Sequence, residues 1–297
     1  MNKRQVLIFG GSGLVGSKFL ELNAGRFNIS SPPASLVDIT DFNQASKFIE
    51  DSGAEVIINF AAFTHVEESE KQKNDKRGLA YMLNAAGAKN VADACKILEK
   101  HLIHISTEYI FDGTKSGSPY IEEDKPNPIN WYGQTKYFGE QNVLESGCSY
   151  IIVRLSMPYS AYYQQKSDIA RFFLNQLREK KQIKAIINQR ITPTLTDDIA
   201  NALAVLVEGK ASGIYHVSSI NHTTPFEFAK QIVQAFNLDS SLIVSMTLGE
   251  YNQKKMAKLL KNSWLDSAKF TGEFGQGILH SVEESIKLFK EEVDGKG

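Results

Sequence analysis

Near its N-terminus the chain reads Val6-Leu7-Ile8-Phe9-Gly10-Gly11-Ser12-Gly13-Leu14-Val15-Gly16, an apolar run that leads into a glycine-rich turn. A helical pattern follows over residues 17–22, and this order predicts the strand, tight turn and helix that open a Rossmann-type fold. Gly10 permits the tight turn, Gly13 lets the backbone approach a pyrophosphate, and Gly16 lets the helix pack on the strand. Free amides at the helix N-terminus would hold the phosphates. The alternative is a flexible glycine turn that only joins a strand to a helix.

The composition narrows the classes of function. A hydrophobic share of 42% over 297 residues is enough for a large core, divided into a main domain and a smaller one. A formal net charge of -1 gives no field that would attract nucleic acid or an anionic membrane, so neither is expected as a partner. Cys95 and Cys148 are too few for a disulfide framework or a zinc site, and we expect no metal and a reducing, cytoplasmic location. Nothing resembles a targeting segment or a membrane-spanning run.

Short apolar runs alternate with helical patterns along the chain. Strands are predicted over residues 56–60, 102–106, 150–155 and 183–187, and helices over 79–100, 131–144, 168–181, 196–208 and 223–236. Such alternation predicts an α/β fold, a Rossmann-type doubly wound parallel sheet covered by helices on both faces. A smaller, interleaved C-terminal α/β substrate domain is expected to complete it. The predicted NAD(P)-binding domain covers residues 1–155 with about 182–212, and the substrate-binding portion covers 156–181 and 213–297.

A hydroxyl-bearing motif, Ser106-Thr107-Glu108-Tyr109-Ile110-Phe111-Asp112-Gly113, follows the strand predicted at 102–106. Open parallel sheets place their chemistry at the carboxyl ends of the strands. The hydroxyl of Thr107 could therefore hydrogen-bond the carbonyl of a substrate. The alternative is that Ser106 or Thr107 only caps the next turn.

A second motif, Trp131-Tyr132-Gly133-Gln134-Thr135-Lys136, places Tyr132 and Lys136 on one face of a predicted helix, a single turn apart. The cation is expected to lower the phenol's pKa from its usual value of about 10, which makes proton exchange with a carbonyl substrate practical. Such pairs also arise by chance on amphipathic helices. The order of glycine loop, hydroxyl edge and tyrosine-lysine pair favours catalysis.

Together these motifs resemble the extended short-chain dehydrogenase/reductases and, within them, the dTDP-4-dehydrorhamnose reductase family. Residues 59–70, Asn59-Phe60-Ala61-Ala62-Phe63-Thr64-His65-Val66-Glu67-Glu68-Ser69-Glu70, are similar to the family's Asn-Ala-Ala-Tyr-Thr-x-Val-Asp-x-Ala-Glu region. Residues 106–113 are similar to its Ser-Thr-Asp-Tyr-Val-Phe-Asp-Gly, with Glu in place of the first Asp. Residues 132–136 are similar to its Tyr-Gly-x-Ser-Lys, and Asn188-Gln189-Arg190-Ile191-Thr192-Pro193-Thr194 to its Asp-Gln-x-Gly-x-Pro-Thr.

The resemblance implies hydride transfer from NADPH or NADH to the C4 ketone of a nucleotide-linked 4-keto-6-deoxy sugar, in dTDP-rhamnose and cell-surface polysaccharide biosynthesis. Tyr132 would donate the proton, and Lys136 would hold the nicotinamide ribose and depress the pKa of Tyr132. Thr107 would orient the carbonyl, with Ser106 as a weaker candidate. Asn84 would support the active-site backbone unless it is a simple surface residue. A homodimer is common among such proteins.

The resemblance also implies a set of cofactor contacts, with Asp38 and Ile39 against the adenine. The cofactor-binding residues it implies are Gly10, Gly13, Leu14, Val15, Gly16, Asp38, Ile39, Ala61, Ala62, Phe63, Ser106, Tyr132 and Lys136.

Two departures from the family pattern concern the substrate pocket. Met157 stands where the family has a tryptophan, so an aromatic platform for the sugar is lost and a different sugar could fit. Asp168 stands near a family asparagine that helps to bind the nucleotide, and its carboxylate would repel a diphosphate unless Arg171 pairs with it.

Two phosphate contacts also differ. The expected second strand ends in Phe27-Asn28-Ile29-Ser30-Ser31, and it contains no acid that would repel the 2'-phosphate of NADP. We therefore expect both cofactors to be used, with a modest preference for NADPH. Arg26 is the only base nearby and could simply be solvated. Leu259-Leu260 replace the family's Arg-Pro, which leaves Lys258 or Lys261 to bind a phosphate of the substrate.

Two other functions stay open. One is a nucleotide-sugar epimerase or dehydratase with tightly bound NAD, although Thr107-Glu108-Tyr109 carries one acid and no second. The other is a non-catalytic regulatory subunit resembling that of methionine adenosyltransferase.

Overall fold

The computed structural model describes residues 3–209 and 211–295. Its strands are Gln5–Phe9 (β1), Asn28–Ser30 (β2), Val56–Asn59 (β3), His101–Thr107 (β4), Ser149–Leu155 (β5), Pro158–Tyr159 (β6), Ile183–Ile186 (β7), Thr194–Leu195 (β8), Gly213–Val217 (β9) and Ile243–Met246 (β10). Its helices are Leu14–Asn23 (α1), Phe42–Asp51 (α2), Val66–Glu70 (α3), Leu79–Tyr81 (α4), Ala88–Ile97 (α5), Trp131–Ser146 (α6), Ile169–Arg178 (α7), Thr196–Glu208 (α8), Pro225–Phe236 (α9), Leu248–Gln253 (α10), Ala268–Phe274 (α11) and Val282–Gly295 (α12). None of the described helices is both long and apolar enough to cross a membrane.

Six parallel strands form the central sheet in the order β2-β1-β3-β4-β5-β9. Alternate side chains of β1 enter two different cores, because successive residues of a strand point to opposite faces. Val6 and Ile8 join a cluster with residues of α1 and α8, whereas Leu7 and Phe9 join a cluster with residues of α2 and α5. The predicted α/β, doubly wound parallel sheet is therefore confirmed.

A smaller part of the molecule is built around a two-stranded parallel sheet of β7 and β10. Its core includes Leu174 of α7, Ile232 of α9 and Phe289 of α12. Strands β6 and β8 form a second two-stranded parallel sheet, in which Pro158 pairs with Thr194. The C-terminal portion is thus an α/β unit interleaved with the main sheet.

Two strands lie in a different part from the one predicted. Gly213–Val217 pairs with β5 in the central sheet, although residues 213–297 were expected in the substrate-binding portion. Ile183–Ile186 pairs with β10 in the small sheet, although about 182–212 was expected in the main domain. The reason is that a short apolar run signals a strand but not which sheet it joins. Residues 1, 2, 210, 296 and 297 of the predicted domains lie outside the described residues.

Most predicted elements agree with the structure within a few residues. The helix over 196–208 has those same ends, and the helix over 168–181 begins at Ile169 because the side chain of Asp168 caps it. The helix predicted over 79–100 is divided by a π-helical turn, Met82–Gly87, which includes the buried Asn84. Such turns are frequent at functional sites.

Candidate active site

The glycine loop joins β1 to α1 at the carboxyl edge of the sheet. Gly10 has a φ of +77°, and a β-carbon there would lie 2.5 Å from the backbone nitrogen of Ala61. A side chain is therefore excluded both by conformation and by space. Helix α1 begins at Leu14, and its N-cap, Gly13, provides no side-chain hydrogen bond. The amides of the first turn are left free for an anion, so this loop fits the pyrophosphate of a dinucleotide.

A cavity of about 700 Å³ opens beside this loop. It is lined by Gly11, Ser12, Ser17, Lys18, Leu20, Glu21, Ser31, Pro32, Pro33, Ser160, Tyr162, Tyr163, Gln164 and Gln165. The lining joins the glycine loop, the end of β2 and a segment that follows β6. A cavity between these elements is where a bound dinucleotide would lie in this fold.

The segment over residues 160–166, which we call the strap, connects the two loops predicted to bind the cofactor. The Tyr163 hydroxyl donates to the carbonyl of Ser12 in the glycine loop at 3.1 Å. The Lys166 ammonium donates to the carbonyl and the hydroxyl of Thr64, after β3, each at 3.1 Å. The strap could not be predicted from the sequence, since this stretch contains no glycine pattern or other motif that predicts a phosphate contact.

Lys166→Ala is expected to raise the Kd for NADPH about two- to five-fold, because the ammonium holds the strap on the loop after β3 and one exposed contact of this kind contributes about 0.4–1 kcal/mol. The thermal midpoint should change little, since the side chain is exposed. Titration of NADPH fluorescence measures the Kd, and Lys230→Ala on α9, far along the chain from both loops, is the matched control. A Kd equal to that of the control would show that the strap does not contact the cofactor.

Helix α6 is fixed at its start by two side chains. Asn130 accepts a hydrogen bond from the Gly133 amide at 2.9 Å, and Glu70 accepts one from the Trp131 amide at 2.7 Å. Gly133 is required for close approach, because a β-carbon there would collide with the carbonyl oxygen of Tyr109. The first turn of α6 is thus held against the turn that follows β4. This contact brings Tyr132 to the end of that strand.

Tyr132 lies buried between this turn and the helix. Its ring meets that of Tyr109 edge to face, with centroids 5.5 Å apart, and the Thr107 side chain hydrogen-bonds its hydroxyl. Burial and the charge of Glu108 raise the pKa of Tyr132 above its usual value, while the Thr107 hydrogen bond opposes this shift. The phenol is therefore protonated at neutral pH and can act as a proton donor.

Lys136 is one turn further along α6 and is also buried. Its ammonium donates to the carbonyl of Ile105 at 2.6 Å, and burial lowers its pKa to about 8, against the charge of Glu140. The expectation that Lys136 lowers the pKa of Tyr132 is wrong in this structure. The cation is directed to the backbone of β4, and desolvation dominates the environment of the phenol.

A buried ion pair fixes Glu140, the carboxylate whose charge acts on Lys136. Arg154 of β5 donates to both carboxylate oxygens of Glu140, at 3.0 and 2.8 Å, and also to the carbonyl of Glu122 at 3.1 Å. This pair was not predicted from the sequence. Its signal was the single arginine within the apolar run that forms β5, since a charged residue in a buried strand needs a partner.

Thr107 caps the turn after β4, as one interpretation of the sequence expected, and its contact with a substrate carbonyl stays a prediction. Its oxygen accepts a hydrogen bond from the Tyr109 amide at 3.3 Å, so it caps the turn, and its side chain also hydrogen-bonds the hydroxyl of Tyr132. Ser106 is buried as well, and within residues 3–209 and 211–295 its hydroxyl has no hydrogen-bond partner. A buried hydroxyl without a partner at the edge of the sheet fits a ligand contact.

Asn84 links the loop after β3 to α6. Its side chain accepts from the Phe63 amide at 2.7 Å and donates to the Phe63 carbonyl at 3.0 Å and to the Thr135 hydroxyl at 2.9 Å. The surface alternative is wrong, because Asn84 is buried. Ala61, Ala62 and Phe63 are partly buried in this loop. Their contact with the cofactor stays a prediction.

Asp38 and Ile39 follow β2 and differ in exposure. Asp38 is exposed and accepts hydrogen bonds from the amide and hydroxyl of Thr40, each at 2.8 Å. Ile39 is buried in the core and packs closely on Gly87. A contact of either residue with adenine stays a prediction.

The following charged residues, discussed as differences from the family pattern, all have hydrogen-bond partners. Arg171 donates to Asp168 at 2.7 Å, as expected from the sequence. Arg26 is not simply solvated, because it makes two 2.6 Å hydrogen bonds to Glu208. Lys258 donates to two backbone carbonyls at the end of α10, so its ammonium is already engaged.

Met157 adopts a φ of +40°, which is rare for a residue with a side chain. Strained backbone of this kind concentrates at ligand sites. In the described residues, no group of three or more histidine, cysteine, aspartate or glutamate side chains could hold a metal ion.

Comparison with known proteins gives a consistent family. The family model described as the RmlD substrate binding domain matches residues 4–294. The dTDP-4-dehydrorhamnose reductase of Mycolicibacterium smegmatis is 31% identical over 238 residues, 80% of this chain and 70% of the relative. The crystal structure of dTDP-4-dehydrorhamnose reductase from Bacillus anthracis in complex with NADP has a TM-score of 0.89 and 31% identity, and the match covers 98% of this chain and 100% of that one.

A relative with a different name is similar to a comparable degree. Methionine adenosyltransferase 2 subunit beta of Rattus norvegicus is 30% identical over 258 residues, 82% of this chain and 75% of the relative. Because the family model spans nearly the whole chain, the resemblance drawn from the motifs is confirmed. The chain belongs to the dTDP-4-dehydrorhamnose reductase family, defined by the RmlD substrate binding domain.

Proposed function

We propose that this protein uses NADPH or NADH to reduce the C4 ketone of a nucleotide-linked 4-keto-6-deoxy sugar, with dTDP-4-dehydrorhamnose as the first substrate to test. The observation that carries the proposal is the buried set of Thr107, Tyr132 and Lys136 at the edge of the sheet that also carries the glycine loop. The names of the reductase relatives support this substrate class. The product would serve dTDP-rhamnose and cell-surface polysaccharide biosynthesis.

The residues of the site suit carbonyl reduction. When bound, the reduced nicotinamide supplies the hydride. Tyr132 donates its proton to the carbonyl oxygen, which needs a phenol that is protonated at neutral pH, as burial ensures here. Thr107 orients the carbonyl through its hydroxyl. Lys136, whose ammonium donates to the carbonyl of Ile105, would hold the nicotinamide ribose.

The two parts of the molecule divide the ligands between them in this proposal. The part around the six-stranded sheet binds the cofactor through the glycine loop and the loop after β3. The part around β7 and β10 binds the sugar nucleotide. A cytoplasmic location accords with Cys95 and Cys148, which are both free and buried. A homodimer is proposed from the sequence resemblance alone, and light scattering of the purified protein tests it.

The reductase assay follows the absorbance of NADPH and NADH, each with dTDP-4-dehydrorhamnose, alongside a reaction without sugar. Sugar-dependent oxidation and a product that is heavier by two hydrogens are expected. Cofactor binding without any sugar-dependent oxidation would contradict the proposal.

NADPH is expected to give the higher kcat/KM, by less than about tenfold, which corresponds to about 1.4 kcal/mol. The physical reason is that β2 ends in Ser30 without an acid that would repel a 2'-phosphate, while Arg26 is held by Glu208 and adds little attraction. Steady-state kinetics with both cofactors measures the ratio. A strong preference for NADH would show that another group reads the ribose.

A regulatory subunit is the second candidate, favoured by the similarity to methionine adenosyltransferase 2 subunit beta. It predicts cofactor binding without turnover and a stable complex with a methionine adenosyltransferase catalytic subunit in size-exclusion chromatography. An epimerase or dehydratase would instead purify with NAD and consume no added cofactor. The single acid at Glu108 argues against the dehydratase.

A further inference from the structure

Glu108 occupies an unusual position for a carboxylate in a turn. It is the first residue of the 3-10 turn after β4, yet only 3% of the residue's surface is exposed. Its carboxylate accepts the Thr107 hydroxyl hydrogen at 2.6 Å and also a hydrogen bond from the Met157 amide. A buried carboxylate is costly unless it has such partners. The turn itself is capped by the side chain of Thr107, so it does not need an acid at position 108.

In these surroundings the carboxyl group of Glu108 can gain or lose a proton near neutral pH. Burial raises the pKa of Glu108 to about 7, against the hydrogen bonds from Thr107 and the backbone. The titratable groups that face it are the phenols of Tyr132 on α6 and Tyr109 in its own turn. Burial raises the pKa of both phenols, so both are neutral in this range. The segment with Met157 contributes only a backbone amide.

Thr107 joins this carboxyl to the reacting phenol. Its hydroxyl donates to the ionised carboxylate of Glu108, and the same side chain hydrogen-bonds the hydroxyl of Tyr132. When Glu108 is protonated, the acid can donate to the Thr107 oxygen instead, which frees the Thr107 hydroxyl hydrogen to face Tyr132. A hydroxyl can accept one proton while it releases another, so these three groups form a continuous path for a proton. The path runs inside the protein and does not require the cofactor ribose.

We propose that Glu108 is the proton reservoir of the reaction and restores the proton of Tyr132 through the hydroxyl of Thr107. This inference rests on the proposed function. Hydride, with its electron pair, adds to the carbonyl carbon while Tyr132 gives its proton to the carbonyl oxygen. The Tyr132 oxygen then takes the proton of the Thr107 hydroxyl, and Thr107 takes the proton of the Glu108 carboxyl. Glu108 is left as a carboxylate and regains a proton from water after product release.

The decisive variant is Glu108→Gln. The amide keeps the size of the side chain, and its oxygen can still accept the Thr107 hydroxyl hydrogen, but it has no acidic proton to transfer. A merely orienting role would therefore survive this change, whereas a reservoir would not. Glu108→Asp keeps an acid with a shorter reach, and Glu122→Gln is the control because Glu122 is a buried carboxyl that hydrogen-bonds the His216 amide instead.

In the wild type, kcat is expected to fall as the pH rises through about 7, because Glu108 then loses the proton it must supply. Glu108→Gln should lower kcat at least about tenfold below that pH and lose this pH dependence, with the Kd for NADPH unchanged by fluorescence. Glu108→Asp should recover part of the rate with a shifted dependence, and Glu122→Gln should keep the wild-type dependence. Wild-type kcat, or a wild-type pH dependence, in Glu108→Gln would overturn the proposal.

A second measurement separates this inference from the proposed function. Infrared difference spectra of the protein without sugar should contain a carboxyl band that titrates near neutral pH and is missing in Glu108→Gln. If that band is missing from the wild type, Glu108 holds no exchangeable proton and the reservoir is wrong. If the band is present but the wild type does not turn over the sugar, the proposed substrate is wrong instead.

Discussion

Tyr132→Phe is expected to lower kcat for the keto sugar by about 10²- to 10⁴-fold, the usual contribution of a positioned general acid. The ring would keep its edge-to-face contact with Tyr109, since only the hydroxyl is removed. The Kd for NADPH and the thermal midpoint should therefore stay close to those of the wild type. Steady-state kinetics and fluorescence titration measure the two effects separately.

Tyr150→Phe is the matched control for this experiment, because Tyr150 lies near the amino end of β5, the opposite end from the site. Its kcat should equal that of the wild type. If Tyr132→Phe keeps more than about a tenth of the wild-type kcat, another group donates the proton and the assignment of Tyr132 is wrong.

Arg154→Met is expected to destabilise the fold by about 3–5 kcal/mol, because it leaves the carboxylate of Glu140 buried and unpaired. Arg154 and Glu140 have only 2% and 1% of their side chain areas exposed, so water cannot replace the lost partner. Chemical denaturation measures the free energy of unfolding. The loss should be much larger than for Lys47→Met, which breaks an exposed pair with Asp51.

The double variant Arg154→Met with Glu140→Leu tests the reason for this loss. Replacing both charges by apolar side chains of similar size should recover much of the stability, since no unpaired charge remains. A double variant as unstable as Arg154→Met alone would show that the loss comes from packing rather than from the charge of Glu140.

The sequence predicts this molecule well where a local pattern has one physical solution. The glycine loop requires a tight turn with no side chain at Gly10, and the structure gives that residue a positive φ and no room for a β-carbon. The Tyr132 to Lys136 spacing requires one face of a helix, and α6 provides it. These features depend on residues close together in the chain.

Features that depend on distant parts of the chain were harder to predict. Strand β7 pairs with β10 and strand β9 pairs with β5, and the apolar sequence of a strand does not specify which partner it will have. The pKa of Tyr132 follows from burial and from Glu108, whose side chain turns inward where a turn residue would usually face water. The strap has no motif, because its contacts with Ser12 and Thr64 use a single hydroxyl and a single ammonium.

The most direct test of the proposed reduction follows a labelled hydride from the cofactor to the sugar. NADPH with deuterium on C4 of the nicotinamide is mixed with dTDP-4-dehydrorhamnose and the protein, and the product is analysed by NMR. We expect one deuterium at C4 of the reduced sugar, formed by the wild type and scarcely by Tyr132→Phe. A sugar product without deuterium at C4, or equal labelling by both proteins, would contradict this expectation.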